Sequence, residues 1–106
     1  MIIASVRFRL RPGTTLEEAT KAFEASSPKY RNLPGLITKH YVFGNGLGGG
    51  IYVWESREQA ERLYTPEWRQ MITDRYGAPP EIEWLENPVT VDNLAGKVIV
   101  ESRKAA

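Results

Sequence analysis

Residues 33 to 61 constrain the fold more than any other stretch of this chain. A Pro34-Gly35 turn leads into the extended run Leu36-Ile37-Thr38-Lys39-His40-Tyr41-Val42-Phe43, a glycine-rich segment follows, Ile51-Tyr52-Val53-Trp54 runs on, and Ser56 opens a helix. β-Branched and aromatic residues on both sides of a glycine cluster describe two strands of one hairpin. The cluster Gly44-Asn45-Gly46-Leu47-Gly48-Gly49 also spells G-x-G-x-x-G, the spacing of a dinucleotide-binding turn. That function requires the motif to follow a strand and open a helix, because the pyrophosphate rests on the helix N-terminus. Here the motif opens a strand, with no βαβ unit and no suitably spaced ribose-binding acid. The glycines are expected instead to supply positive φ angles in a wide, mobile hairpin tip from Gly44 to Gly50.

Composition narrows the function classes. At 106 residues, 42% hydrophobic and 25% charged, the chain is expected to form one domain spanning residues 1–106. A net charge of +1, from 14 basic and 13 acidic residues, gives no electrostatic footprint for nucleic acid or an anionic membrane. With no cysteine and one histidine, thiolate chemistry, iron–sulfur clusters and His- or Cys-built metal sites are excluded, and no cofactor is expected. The N-terminal Met1-Ile2-Ile3-Ala4-Ser5-Val6 turns at once into Arg7-Phe8-Arg9, unlike a signal peptide, so the cytoplasm is the expected location.

Ile2 to Leu10 alternates with period two, as a strand does. Pro12-Gly13 ends it, and Thr14 or Thr15 with Glu17 or Glu18 makes a capping box for a helix carrying Leu16, Ala19, Ala22 and Phe23 on one stripe. Ser26-Ser27-Pro28 stops that helix, and a connector from Lys29 to Leu33 leads to the hairpin. Ser56 with Gln59 caps a second helix, Thr65-Pro66 restarts it, and Gly77 ends it. Glu81 to Glu86 alternates again as a fourth strand. The order β-α-β-β-α-β predicts an α+β, ferredoxin-like protomer: an antiparallel four-stranded sheet with both helices on one face. Val89 to Val91 is extended, and Lys97 to Glu101 reads as a further strand with no place in that sheet. Residues 97–106 are therefore expected to latch a second copy.

Two helices cover one face of such a sheet. If Val6, Phe8 and Leu10 pack on the helices together with Ile51 and Val53, the opposite face collects Ile3, Ser5, Arg7, Thr38, His40, Tyr52 and Trp54. Soluble monomers rarely expose so large an apolar patch, so a homodimer with an aromatic-lined cavity between facing sheets is expected.

Pro34-Gly35-Leu36 leading into Lys39-His40-Tyr41, Gly49-Gly50-Ile51-Tyr52-Val53-Trp54-Glu55-Ser56, Trp68, and the stretch from Tyr76-Gly77 to Val91-Asp92-Asn93 resemble the dimeric α/β-barrel superfamily, most closely the YdhR-type proteins regarded as monooxygenases. The likeness spans residues 1 to 93. It implies a homodimer built sheet to sheet and kinship with small cofactor-independent oxygenases of aromatic substrates. Related folds also host isomerases, haem degraders and proteins without known chemistry. The Asn-Trp-His constellation of the haem degraders is not evident here.

His40 is the side chain whose unperturbed pKa lies nearest neutrality, hence the natural general base, or else a strand residue hydrogen-bonded to a neighbour. Arg7 and Arg9 either steady an oxyanion or solvate the surface, with Arg7 nearer the strand centre. Tyr52, Trp54 and Trp84 either wall an aromatic ligand or belong to the core, and Lys39 and Tyr41 either line a pocket or pass their stems along the core. Glu81, Glu83 and Glu86 form a solvated face. The expected function is a cofactor-independent monooxygenase, an oxidoreductase of aromatic compound metabolism, acting on a phenol or hydroquinone. His40 would remove its proton, Arg7 or Tyr52 would hold the oxyanion, and the tryptophans would orient the ring. The alternatives are a dimeric module that binds a hydrophobic small molecule without chemistry, and an isomerase or lyase using the same base.

Overall fold

The computed structural model describes residues 1–101. β1 (Ile2–Arg9) is followed by α1 (Leu16–Ser26), a 3-10 turn (Ser27–Tyr30), β2 (Leu36–Gly44), β3 (Leu47–Trp54), α2 (Arg57–Glu61), α3 (Pro66–Tyr76) and β4 (Glu81–Glu86). These strands form one antiparallel sheet in the order β2-β3-β1-β4. The fold is α+β and ferredoxin-like.

Local chemistry sets the helix ends. The Thr15 hydroxyl accepts from the Glu18 amide at 3.1 Å, and the Glu18 carboxylate accepts from the Thr15 amide at 2.9 Å, which closes the capping box of α1. Ser56 caps α2 by accepting from the Gln59 amide at 3.2 Å. Thr65 caps α3 by accepting from the Trp68 amide at 3.1 Å, with Pro66 at the first helical position. Gly77 ends α3 at φ 93°, a left-handed value that glycine reaches without strain.

The helices share one face of the sheet. Ala4, Val6 and Phe8 of β1 are buried against Ala19 and Phe23 of α1 and against Trp68, Ile72 and Tyr76 of α3. Cross-strand register corrects the expected division of faces. Tyr52 stands opposite Ala4, Gly50 opposite Val6 and Trp54 opposite Ile2, so Tyr52 and Trp54 point into the helix-covered core, while Ile51 and Val53 share the open face with Ser5 and Ile3. Both of these faces of β3 are apolar, so alternation alone does not say which is inward. Two aromatic rings bury more area than two aliphatic chains, and they took the inner side. A bulge between Leu36 and Thr38 shifts the register of β2, which puts Leu36 on the same side as Lys39 and Tyr41 and leaves Ile37 about half exposed.

The hairpin is tighter than expected. β2 and β3 are joined by Asn45 (φ 54°) and Gly46 (φ 77°) alone, a two-residue Asn-Gly turn with both residues left-handed. Gly48, Gly49 and Gly50 lie within β3 and are buried. A Cβ at Gly49 would run into the Val6 carbonyl, so the glycines serve close strand approach and not a mobile tip.

After β4 the chain forms a second, two-stranded sheet from β5 (Val89–Asp92) and β6 (Lys97–Val100). The Glu101 carboxylate pairs with the Met1 ammonium, and the Asn87 amide donates to the Met1 carbonyl at 2.9 Å. Val89, Val91, Leu94, Val98 and Val100 are exposed on this arm. The expected latch at 97–106 thus begins as the return strand of a hairpin, and residues 102–106 of it lie outside the described residues.

Candidate functional site

The sheet register sorts the predicted site residues into two groups. Lys39, Tyr52, Ala4 and Trp84 form one row across the sheet on the helix-covered face, and Tyr41 and Trp54 lie on the same face in adjoining rows. His40, Ile51, Ser5 and Glu83 form a row on the open face, where Arg7 stands between Gly49 and Glu81. The predicted ligand walls therefore share one face, and the two predicted catalytic residues are on the other side of the sheet from them. His40 and Arg7 are both exposed.

Two of the cavities on the helix-covered side adjoin the predicted ligand walls. One is an open cleft of about 360 Å³ between the chain entering β2 and the start of α3, of a size that suits a small ligand. Leu33, Pro34 and Leu63 supply apolar walls, Gln59 and Thr65 supply polar groups, and Trp54 and Trp68 back it from within the core. Both indoles are held by tyrosines: Trp54 Nε1 donates to the Tyr64 hydroxyl and Trp68 Nε1 to the Tyr30 hydroxyl, each at 3.1 Å. Trp84 stacks edge-on against Tyr64 at 5.6 Å and carries the Arg57 guanidinium 4.4 Å above its ring, away from both cavities.

The other, about 20 Å³ and partly open past Arg75, lies between β1, β2, β3, α1 and α3. Lys39 projects into it. Its Nζ lies 3.4 Å from the centre of the Tyr30 ring, 3.8 Å from that of Tyr41 and 4.7 Å from that of Tyr52. Among the described residues no carboxylate forms an ion pair with this amine. Burial pushes its pKa down to about 7, helped by the like charge of Lys29. Burial likewise raises the Tyr52 and Tyr64 hydroxyls, and raises that of Tyr41 against the pull of its 2.8 Å hydrogen bond with Ser26. The result is a near-neutral amine beside the Tyr41 and Tyr52 phenols, which burial keeps protonated.

Sequence reasoning missed Tyr30, Tyr64 and Trp68 as site residues. Tyr30 fell in a polar connector, where an isolated aromatic was the available signal, and Trp68 and Tyr64 read as ordinary members of an apolar helix stripe. Among the described residues no group of His, Asp and Glu is arranged to hold a metal ion, and no helix is long and apolar enough to cross a membrane.

No family model matches the chain, and no curated protein matches it. Solved structures do. A protein from Deinococcus radiodurans, described as a candidate antibiotic biosynthesis monooxygenase, aligns with a TM-score of 0.62 at 14% identity over 87% of this chain and 97% of its own. A second antibiotic biosynthesis monooxygenase aligns at 0.61 and 12% identity, over 82% of this chain and 98% of that one. A substituted form of SnoaB, a cofactor-independent oxygenase from Streptomyces nogalater, aligns at 0.61 and 16% identity over 85% and 95%. At these identities what is shared is the fold, and this chain has the fold of antibiotic biosynthesis monooxygenases.

Proposed function

We propose that this chain is a cofactor-independent monooxygenase of a small phenol or hydroquinone, bound in the cleft backed by Trp54 and Trp68. The observation that carries this is the unpaired amine of Lys39 in its cage of tyrosines beside that cleft. The fold shared with proteins described as monooxygenases, and with one described as a cofactor-independent oxygenase, supports the reaction class. So does the narrower resemblance to YdhR-type sequences.

In this proposal Lys39 takes the base role first sought in His40. The neutral amine accepts the phenol proton, giving a phenolate and an ammonium that the three ring faces stabilise. The electron-rich phenolate is then the reductant of oxygen. Trp54 and Trp68 give the substrate ring an apolar back wall, and Gln59 and Thr65 orient the ring substituents. Tyr30 links cage and cleft through its side chain: its hydroxyl accepts from Nε1 of the cleft residue Trp68, and its ring face lies under Lys39.

The working unit in this proposal is a homodimer packed sheet to sheet. Ile3, Ile51, Val53 and Leu85 lie on the face that no helix covers. Ser5 on that face is 4% exposed, and its hydroxyl has no hydrogen-bond partner in the single chain. A second copy would cover the apolar residues and offer that hydroxyl a partner, and the β5–β6 arm with its exposed valines would reach across it.

A binding protein without chemistry is the second reading, favoured by the separation of amine and cleft, whose linings share no residue. Oxygen uptake separates the two. Flavin-free, metal-free protein offered a panel of phenols and hydroquinones is expected to consume oxygen and form quinone. No uptake across the panel, with a phenol still binding in the cleft, would leave the binding reading in place.

A further inference from the structure

We propose that the cleft takes an aromatic acid whose carboxylate pairs with Lys29 at its mouth, and that this pairing is how an occupied cleft acts on Lys39. The inference rests on the cleft being the ligand site and adds the class of ligand.

Lys29 is placed by its neighbours. In the 3-10 turn Pro28 fixes the backbone, the Arg31 amide donates to the Pro28 carbonyl at 3.3 Å, and the Tyr30 hydroxyl is anchored by the Trp68 indole at 3.1 Å. Consecutive residues therefore serve the two cavities. Lys29 lines the cleft with its side chain exposed, and Tyr30 lies with its ring under Lys39.

The charges then select the ligand. Of the two basic residues lining the cleft, Arg62 is held by Glu58 at 3.1 Å, and Lys29 forms no ion pair among the described residues. The Lys29 charge also opposes protonation of Lys39. A cation entering the cleft would add to this repulsion, whereas an anion relieves it. Glu67, the acidic residue of the lining, stands in the first turn of α3 and repels an anion at that end. The carboxylate therefore lies toward Lys29, with the ring against Leu33, Pro34 and Leu63. One uncommitted ammonium calls for one negative charge.

The effect on the cage has a definite sign. The ionisable groups around Lys39 are Tyr30 of the turn, Tyr41 of β2, Tyr52 of β3, and Arg75 and Tyr76 of α3; β1 and α1 bring only Val6, Phe8, Phe23 and Ser26. Burial keeps Tyr41, Tyr52 and Tyr76 protonated. A carboxylate that offsets the Lys29 charge raises the Lys39 pKa above about 7, so binding draws a proton onto the amine near neutrality. Linkage requires the converse, that affinity for the acid falls as pH rises through that value.

Calorimetric titration of the unmodified protein with naphthoate, naphthamide and naphthylmethylammonium tests this, since the three share one ring system and none is a phenol. Naphthoate should bind about fivefold more tightly than the amide at low salt, with the ammonium weakest. Its heat of binding at pH 7 should vary with the ionisation enthalpy of the buffer, as proton uptake requires. Lys29→Met should erase both the preference and the uptake, and Lys29→Arg should keep the preference. Lys39→Met should keep the preference and lose the uptake. Equal affinity for acid and amide, a preference that survives Lys29→Met, or an uptake that survives Lys39→Met would overturn the proposal. The failures are separable: acid and amide bound equally, with the Trp54 and Trp68 indole signals shifted, reject the ligand class alone, and no binding that moves those signals rejects the cleft itself. Absence of oxygen uptake with phenols rejects the oxygenase reading and leaves the acid preference standing.

Discussion

Lys39 is an expensive residue to keep where it is. A buried ammonium normally requires a carboxylate, and here three π faces are the compensation, each worth about 0.5–2 kcal/mol. That this falls short is what the lowered pKa of about 7 records. The linkage has a definite sign. Between about 7 and the ordinary lysine value of 10.5 the unfolded chain holds a proton that the folded chain lacks, so this group makes stability rise with pH across that window, and its cost is complete below it. Lys39→Met should therefore unfold at higher denaturant than the parent protein by roughly 1–3 kcal/mol at pH 6, with the gain vanishing above pH 10.5. The same variant should lose about 10²-fold in kcat/KM together with the rise in activity as pH passes upward through about 7, whereas His40→Ala should keep both. Unfolding curves and pH–rate profiles of the two variants check this. A gain in stability at low pH with activity intact would assign Lys39 to structure alone. The sequence pointed to Lys39 as a pocket candidate, or a stem along the core, because it shares a strand face with Tyr41. It could not show the missing carboxylate, since that depends on which elements pack over the strand.

The elements were legible to different depths for physical reasons. Caps act within four residues, so Thr15 with Glu18, Ser56 with Gln59, Thr65 with Pro66 and the stop at Gly77 could all be read from local spacing. Glycine is different, because it serves either positive φ or close approach and spacing does not say which. Asn45 and Gly46 take the turn, and Gly48 to Gly50 let β3 lie tightly against β1 and leave room for Lys39. Gly49→Val is expected to cost upwards of about 3 kcal/mol or to prevent folding, because its branched side chain meets the Val6 backbone and not a movable side chain. Chemical denaturation checks this, with Gly44→Ala as control, since nothing lies within 4 Å of a Cβ placed there. Equal stability of the two variants would return the glycines to a loop-like role.

At the scale of the molecule the strand order followed from the sequence, and the inward face of β3 did not. That single inversion put the expected aromatic walls Tyr52 and Trp54 beneath the helices, and it separated His40 from them. The uncovered face and the β5–β6 arm then have one use in this account, which is assembly. Light scattering at micromolar concentration should give twice the protomer mass, and removal of residues 88 to 106 should weaken the dimer without abolishing the helix signal. A monomer under those conditions would reject the sheet-to-sheet dimer while leaving the cleft untouched. The central claim, that the functional site is the helix-covered face, is tested most directly by nitrogen–proton correlation spectra of labelled protein titrated with a naphthol. The account predicts that the indole N–H signals of Trp54 and Trp68 and the amides of Leu33, Leu63 and Thr65 shift and saturate together. Saturating shifts at Ile3, His40 and Ile51, with both indole signals still, would place the ligand on the open face and contradict it.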